Sequence, residues 1–284
     1  MKRLVPCILV TCALALSARP VLAQSRPLVT EDPETVPAGK ILFEGGFDIT
    51  RDTFFPASGL TGTFWRIGTF GLSFGVSSIA EIQLDGGLRN RLKIITADPD
   101  APLASMLTVT GTTTSDFEDL QIGAKVRILS ETASRPAIAI RFSTRLPNAG
   151  NESGLGLDTT DFHFLFLGAK TVRSVRVAGN FGFGILGDPT RGDRQNDVVD
   201  YGASVARAVA TGVELVAELN GRFSSRSGEA PIGTGTRSML RAGGRVTRGP
   251  VRLDGALLIG ITTDDPSWGM SAGFTWVFTA FTVK

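Results

Sequence analysis

Beyond residue 40 the chain is a run of short stretches in which apolar and polar side chains take turns, punctuated by Gly, Pro, Asn and Asp. Ile122, Ala124, Val126 and Ile128 alternate with Gln121, Gly123, Lys125 and Arg127, and Ile138, Ile140 and Phe142 with Ala139, Arg141, Ser143 and Arg145. Val213, Leu215, Ala217 and Leu219 are set against Glu214, Glu218 and Asn220, and Val251, Leu253, Leu257 and Ile259 against Arg252 and Asp254. A period of two sorts side chains onto the two faces of a strand, where a helix would repeat every three to four residues. The pattern predicts twelve strands, near 40–50, 62–76, 80–95, 116–130, 136–147, 160–172, 174–187, 197–210, 212–224, 236–248, 250–262 and 268–281.

Alternation also suits a soluble β-sandwich, so the connections have to decide. They run long then short: 51–61 then 77–79, 96–115 then 131–135, 148–159 then 173, 188–196 then 211, 225–235 then 249, with 263–267 last. Sandwiches cross between sheets and break such a rhythm. An up-and-down barrel with tight turns at one rim and longer loops at the other produces it. Each segment has about the 10 residues a tilted strand needs to cross a bilayer. Lipid cannot pair an exposed N–H or C=O, so a sheet in a membrane must join its own edges. The expected fold class is all-β: a transmembrane antiparallel up-and-down β-barrel of about twelve strands, with both termini at the short-turn, periplasmic rim.

The first residues read as a targeting segment. Lys2 and Arg3 precede an apolar run from Leu4 to Leu16, and Val21-Leu22-Ala23 suits signal peptidase, so cleavage is expected before Gln24. The run is too short to span a membrane, and Arg19 and Pro20 interrupt the chain just beyond it. A lipoprotein site at Cys12 is the weaker alternative, because Thr11 stands where a small Gly or Ala is usual. The organisation expected is a signal peptide over 1–23, a periplasmic N-terminal segment over 24–39 and an outer-membrane barrel over 40–284. Both cysteines, Cys7 and Cys12, fall in the signal, so the exported chain has no thiol for a disulfide or a metal. The signal also takes three of the 29 basic residues and none of the 27 acidic ones, which turns a net +2 into −1. No basic patch stands clear of acidic neighbours, and no nucleic-acid partner is expected.

Charges fall on one phase of the alternation. Glu44, Asp48, Glu81, Asp85, Lys125, Arg127, Arg141, Arg145, Arg176, Glu214, Glu218, Arg241, Arg245, Arg252 and Asp254 share the polar face. On the lipid face a midplane Arg or Lys would cost ~2–4 kcal/mol, so these residues are expected to line a wet lumen. Phe54, Phe55, Trp65, Phe162, Phe181, Trp268, Trp276 and Phe278 gather toward strand ends, where aromatic girdles meet the membrane interface.

Three stretches resemble a known family. Arg26-Pro27-Leu28-Val29-Thr30-Glu31-Asp32, with Thr35-Val36-Pro37 and Gly39-Lys40, resembles the opening of the outer-membrane proteins named for the MetA pathway of phenol degradation, loosely described as transporters. Leu146-Pro147-Asn148, Gly154-Leu155-Gly156 and Asp161-Phe162 resemble that family's mid-chain pattern. The last strand, with Ser271, Gly273, Trp276 and Phe278, looks like the signal read by the barrel-assembly machinery, although Thr279 to Lys284 come after it in place of a terminal Phe. The resemblance implies an outer-membrane barrel passing small aromatic or apolar compounds, and it carries over no catalytic residues.

Other motifs are weaker. Gly182-Phe183-Gly184-Ile185-Leu186-Gly187 has dinucleotide-binding spacing but lies late in a strand with no helix after it, so no cofactor is expected. His163, the only histidine, has no serine evidently paired with it, so an embedded hydrolase is the least favoured function. Asp188, Asp193 and Asp197 lack the spacing of a calcium loop, and no metal is expected. The leading expectation is a channel or uptake protein for small molecules, not an enzyme. Its selectivity would be set by Lys125, Arg127, Arg141, Arg145, Arg241 and Arg245 with Glu44, Glu214 and Glu218 as counter-charges. The alternative is a non-conducting structural or sensory barrel whose lumen charges pair off.

Overall fold

The computed structural model describes residues 25–282; the expected signal peptide lies outside them. The strands are β1 (Lys40–Phe55), β2 (Leu60–Gly75), β3 (Ala80–Ala97), β4 (Thr113–Asp116), β5 (Gln121–Leu129) and β6 (Ala137–Arg145). They continue with β7 (Asp161–Val172), β8 (Val175–Gly187), β9 (Gln195–Ala210), β10 (Val213–Ser224), β11 (Arg237–Arg248), β12 (Val251–Gly260) and β13 (Trp268–Thr279). Every pairing is antiparallel, and β13 closes the sheet on β1, with Lys40 opposite Thr279 and Arg51 opposite Trp268. β4 and β5 both pair with β3, at Asn90–Lys93 and Ala80–Asp85 respectively. They are therefore two halves of one wall strand, interrupted at 117–120 where the sequence pattern predicts a continuous element. The result is a closed twelve-stranded barrel.

Short connections at 76–79, 173–174, 211–212 and 249–250 share one rim with both termini, as the alternation of lengths predicts. The first outer connection is a correction. β1 and β2 run on to Phe55 and Leu60, so the expected loop over 51–61 is a four-residue turn on a tall hairpin. The two faces differ as the alternation requires. Lys125 is fully buried inside, while its neighbours outward include Ile122, 47% exposed. Phe142, Phe164 and Phe183 form a row across β6, β7 and β8 on the outer face, with ring centroids 4.8 and 5.4 Å apart. A continuous apolar belt of this kind is untenable in water and suits hydrocarbon.

Residues 25–39 correct the organisation expected from the sequence. They do not form a periplasmic segment outside the barrel. They run up inside it, and the reason lies in both partners. Pro27, Pro33 and Pro37 lack the N–H that a sheet edge needs, so the segment cannot extend the wall as a strand. Carboxylates of the wall accept its free N–H groups instead: Val29 and Thr30 donate to Glu218 at 2.7–3.0 Å, Val36 to Glu81 at 2.5 Å, and Arg26 to Glu44 at 3.3 Å. Leu28 packs on Ala206 and Val216. Glycines make room. Gly46 and Gly273 face each other across β1 and β13 beneath the Arg26 guanidinium, and Gly202 lies beneath Thr30. A Cβ at Gly273 would stand 2.5 Å from Arg26 Nε, and one at Gly202 2.7 Å from Thr30 Oγ1.

Candidate functional site: a vestibule above the N-terminal segment

The charged bore divides into a closed half and an open half. In the closed half the N-terminal segment carries its own acids to the wall cations. Lys125 Nζ lies 3.1 Å from both Glu31 and Glu81 and donates to the Asp32 carbonyl at 2.9 Å. Arg127 binds Glu34 at 2.5 Å. Arg176 donates to both Asp32 oxygens at 2.5 and 2.7 Å and reaches Glu131, in the turn between β5 and β6, at 2.8 Å. Burial alone would raise the Asp32 carboxyl, but the Arg176 hydrogen bonds and charge hold it below the ordinary range. Glu131 is held low in the same sense, its slight burial outweighed by the Thr171 N–H and Arg176. Nearer the β10–β12 side, Arg245 binds Glu214 at 2.7 Å, Arg252 lies 3.8 Å from the same carboxylate, and Glu218 faces Arg241 at 3.4 Å.

Above the segment lies a cavity of about 710 Å³, floored by residues 25–31 and walled by Glu44, Asp48, Arg66, Asp85, Arg141, Arg145, His163, Arg222, Arg237 and Arg241 among others. A second cavity of about 410 Å³ adjoins it toward the outer rim, sharing Phe64, Leu155, Arg145, His163, Arg222 and Arg237, and is lined by Phe55, Leu157 and Leu186 as well. Phe55 meets Phe64 edge to face at 5.2 Å; it faces this chamber, not the membrane girdle expected of it.

Of the residues singled out from sequence, Glu44, Asp48, Arg141, Arg145 and Arg241 line the vestibule. Lys125, Arg127, Arg176, Glu214, Glu218, Arg245 and Arg252 do not line it, being taken up by the N-terminal segment or by one another. Those in the vestibule are paired too: Arg141 donates to Gln83 at 2.6 Å and faces Asp85 at 3.4 Å, and Arg145 binds Asp161 at 2.5 Å and also Asp119. The sequence pattern does not single out Arg66, Glu118, Asp119, Asp200, Arg222 or Arg237. Arg66 bridges Asp48 at 2.7 Å and Glu118. His163 has a partner that sequence spacing hides, since its Nδ1 lies 2.7 Å from Asp200 Oδ2 on β9. The contact crosses Gly184 of β8, where a Cβ would stand 3.0 Å from both atoms. In the closing strand, Ser271 and Gly273 face inward and Trp276 and Phe278 stack at 4.4 Å. Among the described residues no cluster of side chains has the makings of a metal site.

The architecture has counterparts among solved structures. An outer-membrane channel from Pseudomonas putida F1 aligns over 87% of this chain and 98% of its own, with a TM-score of 0.58 at 16% identity. The fold is that of an outer-membrane β-barrel. The translocator domain of the autotransporter NalP from Neisseria meningitidis aligns over 85% of this chain and 87% of its own, at TM-score 0.44 and 10% identity. LpxR from Salmonella typhimurium aligns over 84% and 100%, at TM-score 0.45 and 11% identity. No family model matches this barrel, and no curated protein does.

Proposed function

We propose that this barrel sits in the outer membrane as a channel for the uptake of small molecules, with a bore that its own N-terminal segment shuts. The observation that carries the reading is the hollow of about 710 Å³ above a floor that is not part of the wall. A barrel built only for support could fill its interior with wall side chains. Here the obstruction is a separate stretch of chain held by side-chain contacts, and such a stretch can leave without breaking a ladder. The wall around its leading residues is not fully satisfied: Arg26 Nε faces Asp254 at 3.5 Å without an aligned hydrogen bond, and Arg241 Nε and Ser271 Oγ of the wall are buried with no partner among the described residues. We read the barrel as non-catalytic, with His163 held at 2.7 Å by Asp200 as part of the polar wall. The similarity to an outer-membrane channel and the sequence resemblance to the phenol-degradation family both support uptake, and the closing strand's likeness to an assembly signal supports the outer-membrane placement.

The dense ion pairing of the segment favours a second reading, a sealed barrel that never conducts. Recording single channels from refolded protein in a planar bilayer separates the two. Discrete openings whose ion selectivity shifts in Arg145→Gln are expected for the channel. Silence at every potential, in the parent and in variants with a loosened segment, is the result of the sealed barrel.

A further inference from the structure

The vestibule contains one feature that pairing within the protein does not account for. Arg222 of β10 and Arg237 of β11 are direct cross-strand partners, and like charges placed opposite each other weaken a sheet. Arg26, Arg66, Arg141, Arg145 and Arg241, which share the vestibule, each have a carboxylate within 3.5 Å. Among the described residues Arg222 and Arg237 have none within 4.0 Å. Their N–H groups reach only main-chain carbonyls of the outer connections: Arg222 donates to Gly235 at 2.9 Å and Gly233 at 2.6 Å, and Arg237 to Asp264 at 2.7 Å. Asp200 is the register partner of Arg222 on β9, yet its Oδ2 is turned to His163. Arg222 Nη1 and Arg237 Nε and Nη2 are thereby left without a protein acceptor among the described residues. Both arginines line the polar vestibule and the outer chamber, so they stand where the two meet. The outer chamber on their far side has an apolar wall of Phe55, Phe64, Leu155, Leu157 and Leu186 beside polar Thr53, Thr234 and Asp161, whose carboxylate Arg145 already holds.

Building on the uptake reading, we infer that Arg222 and Arg237 form a docking site for small carboxylates with an apolar body. The carboxylate takes the two guanidiniums, whose planar N–H forks match it, and the apolar body lies against Phe55 and Phe64. The outer chamber's volume of about 410 Å³ falls within the ~300–1,000 Å³ of ordinary small-molecule sites. The site would select on charge and apolarity together before the permeant meets the floor.

Calorimetric titration of the refolded full-length barrel in detergent tests this with benzoate, uncharged benzyl alcohol and inorganic phosphate as probes. Benzoate is expected to bind saturably and more tightly than either other probe. R222Q and R237Q should each weaken it about tenfold, the scale of one lost charge-assisted hydrogen bond, while leaving benzyl alcohol unchanged. Phe64→Ala should weaken both aromatic probes, and it keeps the test alive if an arginine variant does not fold. Equal benzoate affinity in the parent and the double arginine variant overturns the site. Phosphate binding as tightly as benzoate overturns its apolar half. The same preparation recorded in a bilayer keeps the two claims apart: saturable benzoate binding in a barrel that never conducts sinks the uptake reading and leaves the site standing, whereas conduction without saturable binding does the reverse.

Discussion

The three atoms nearest to where a Cβ at Gly202 would stand all belong to Thr30 of the N-terminal segment. Gly182, one strand away on β8, is different, because its Cβ would collide with the Phe164 carbonyl of the wall. The two glycines separate what holds the segment from what holds the barrel. Gly202→Leu is expected to fold, to keep the heat-shifted gel migration of a closed barrel, and to open more often in bilayer recordings because Thr30 is pushed from its seat. Gly182→Leu is expected to lose the folded band, since a strand backbone cannot yield that far without losing its ladder. Identical behaviour of the two variants would contradict this division. Glycine is legible in the sequence only as an abundance. Which glycines are seats and which are close approaches of backbone depends on partners distant in the chain, as for Gly46 beneath Arg26 and opposite Gly273.

At the scale of elements, the segment over 25–39 and the wall act as separate bodies joined by charge. Asp32 and Glu131 hold Arg176 between them, and both carboxyls sit below their ordinary range. Asp32, the one of the two that belongs to the segment, is lowered in the docked state; it stabilises docking above its free value, and that stabilisation is lost as pH falls through the docked value. The contribution of Asp32 to docking should therefore be constant from neutrality down to the ordinary carboxylate range near about pH 4 and be lost below it. Channel recordings are expected to show more frequent openings on acidification past that point; an unchanged open probability down to the pH of unfolding would contradict the clamp. The strands themselves are legible because period two survives any tertiary partner. Legibility fails where the period breaks. Gly68 of β2, at φ +67°, is an extra residue between Ile67 opposite Phe47 and Thr69 opposite Gly46, and the inward phase changes there. Arg66 therefore points into the bore although strict alternation from Thr69, Gly71 and Ser73 would send it out. The interruption at 117–120 hides Glu118 and Asp119 in the same way. The prolines of the N-terminal segment rule out a strand, but nothing local says that a non-strand segment lies inside the barrel. That depends on the acids of 31–34 meeting Lys125, Arg127 and Arg176, which only the closed wall brings together.

For the whole molecule, the outer face is the strongest physical statement. Leu257, 57% exposed on β12, lies opposite Ala242 and Met270 partway up the wall. On a protein in water an exposed leucine tolerates arginine within about 0.5 kcal/mol. In a bilayer the same change near the midplane costs ~2–4 kcal/mol. Leu257→Arg is expected to lose stability on that larger scale when unfolding is measured in liposomes, and a change within the smaller one would contradict lipid at this face. Inside, the proposed channel would conduct only when the N-terminal segment leaves the bore. Gly202 and Thr30 offer a direct test, since a Cβ at 202 would lie 3.5 Å from that of Thr30, within the span a disulfide needs, and the expected mature chain has no other cysteine. Single-channel current through Thr30→Cys/Gly202→Cys, recorded oxidised and then with reductant added to the same bilayer, is the decisive measurement. Silence while the bond holds and openings like the parent's once it is cut are expected; equal current in both states would show that ions pass without the segment moving.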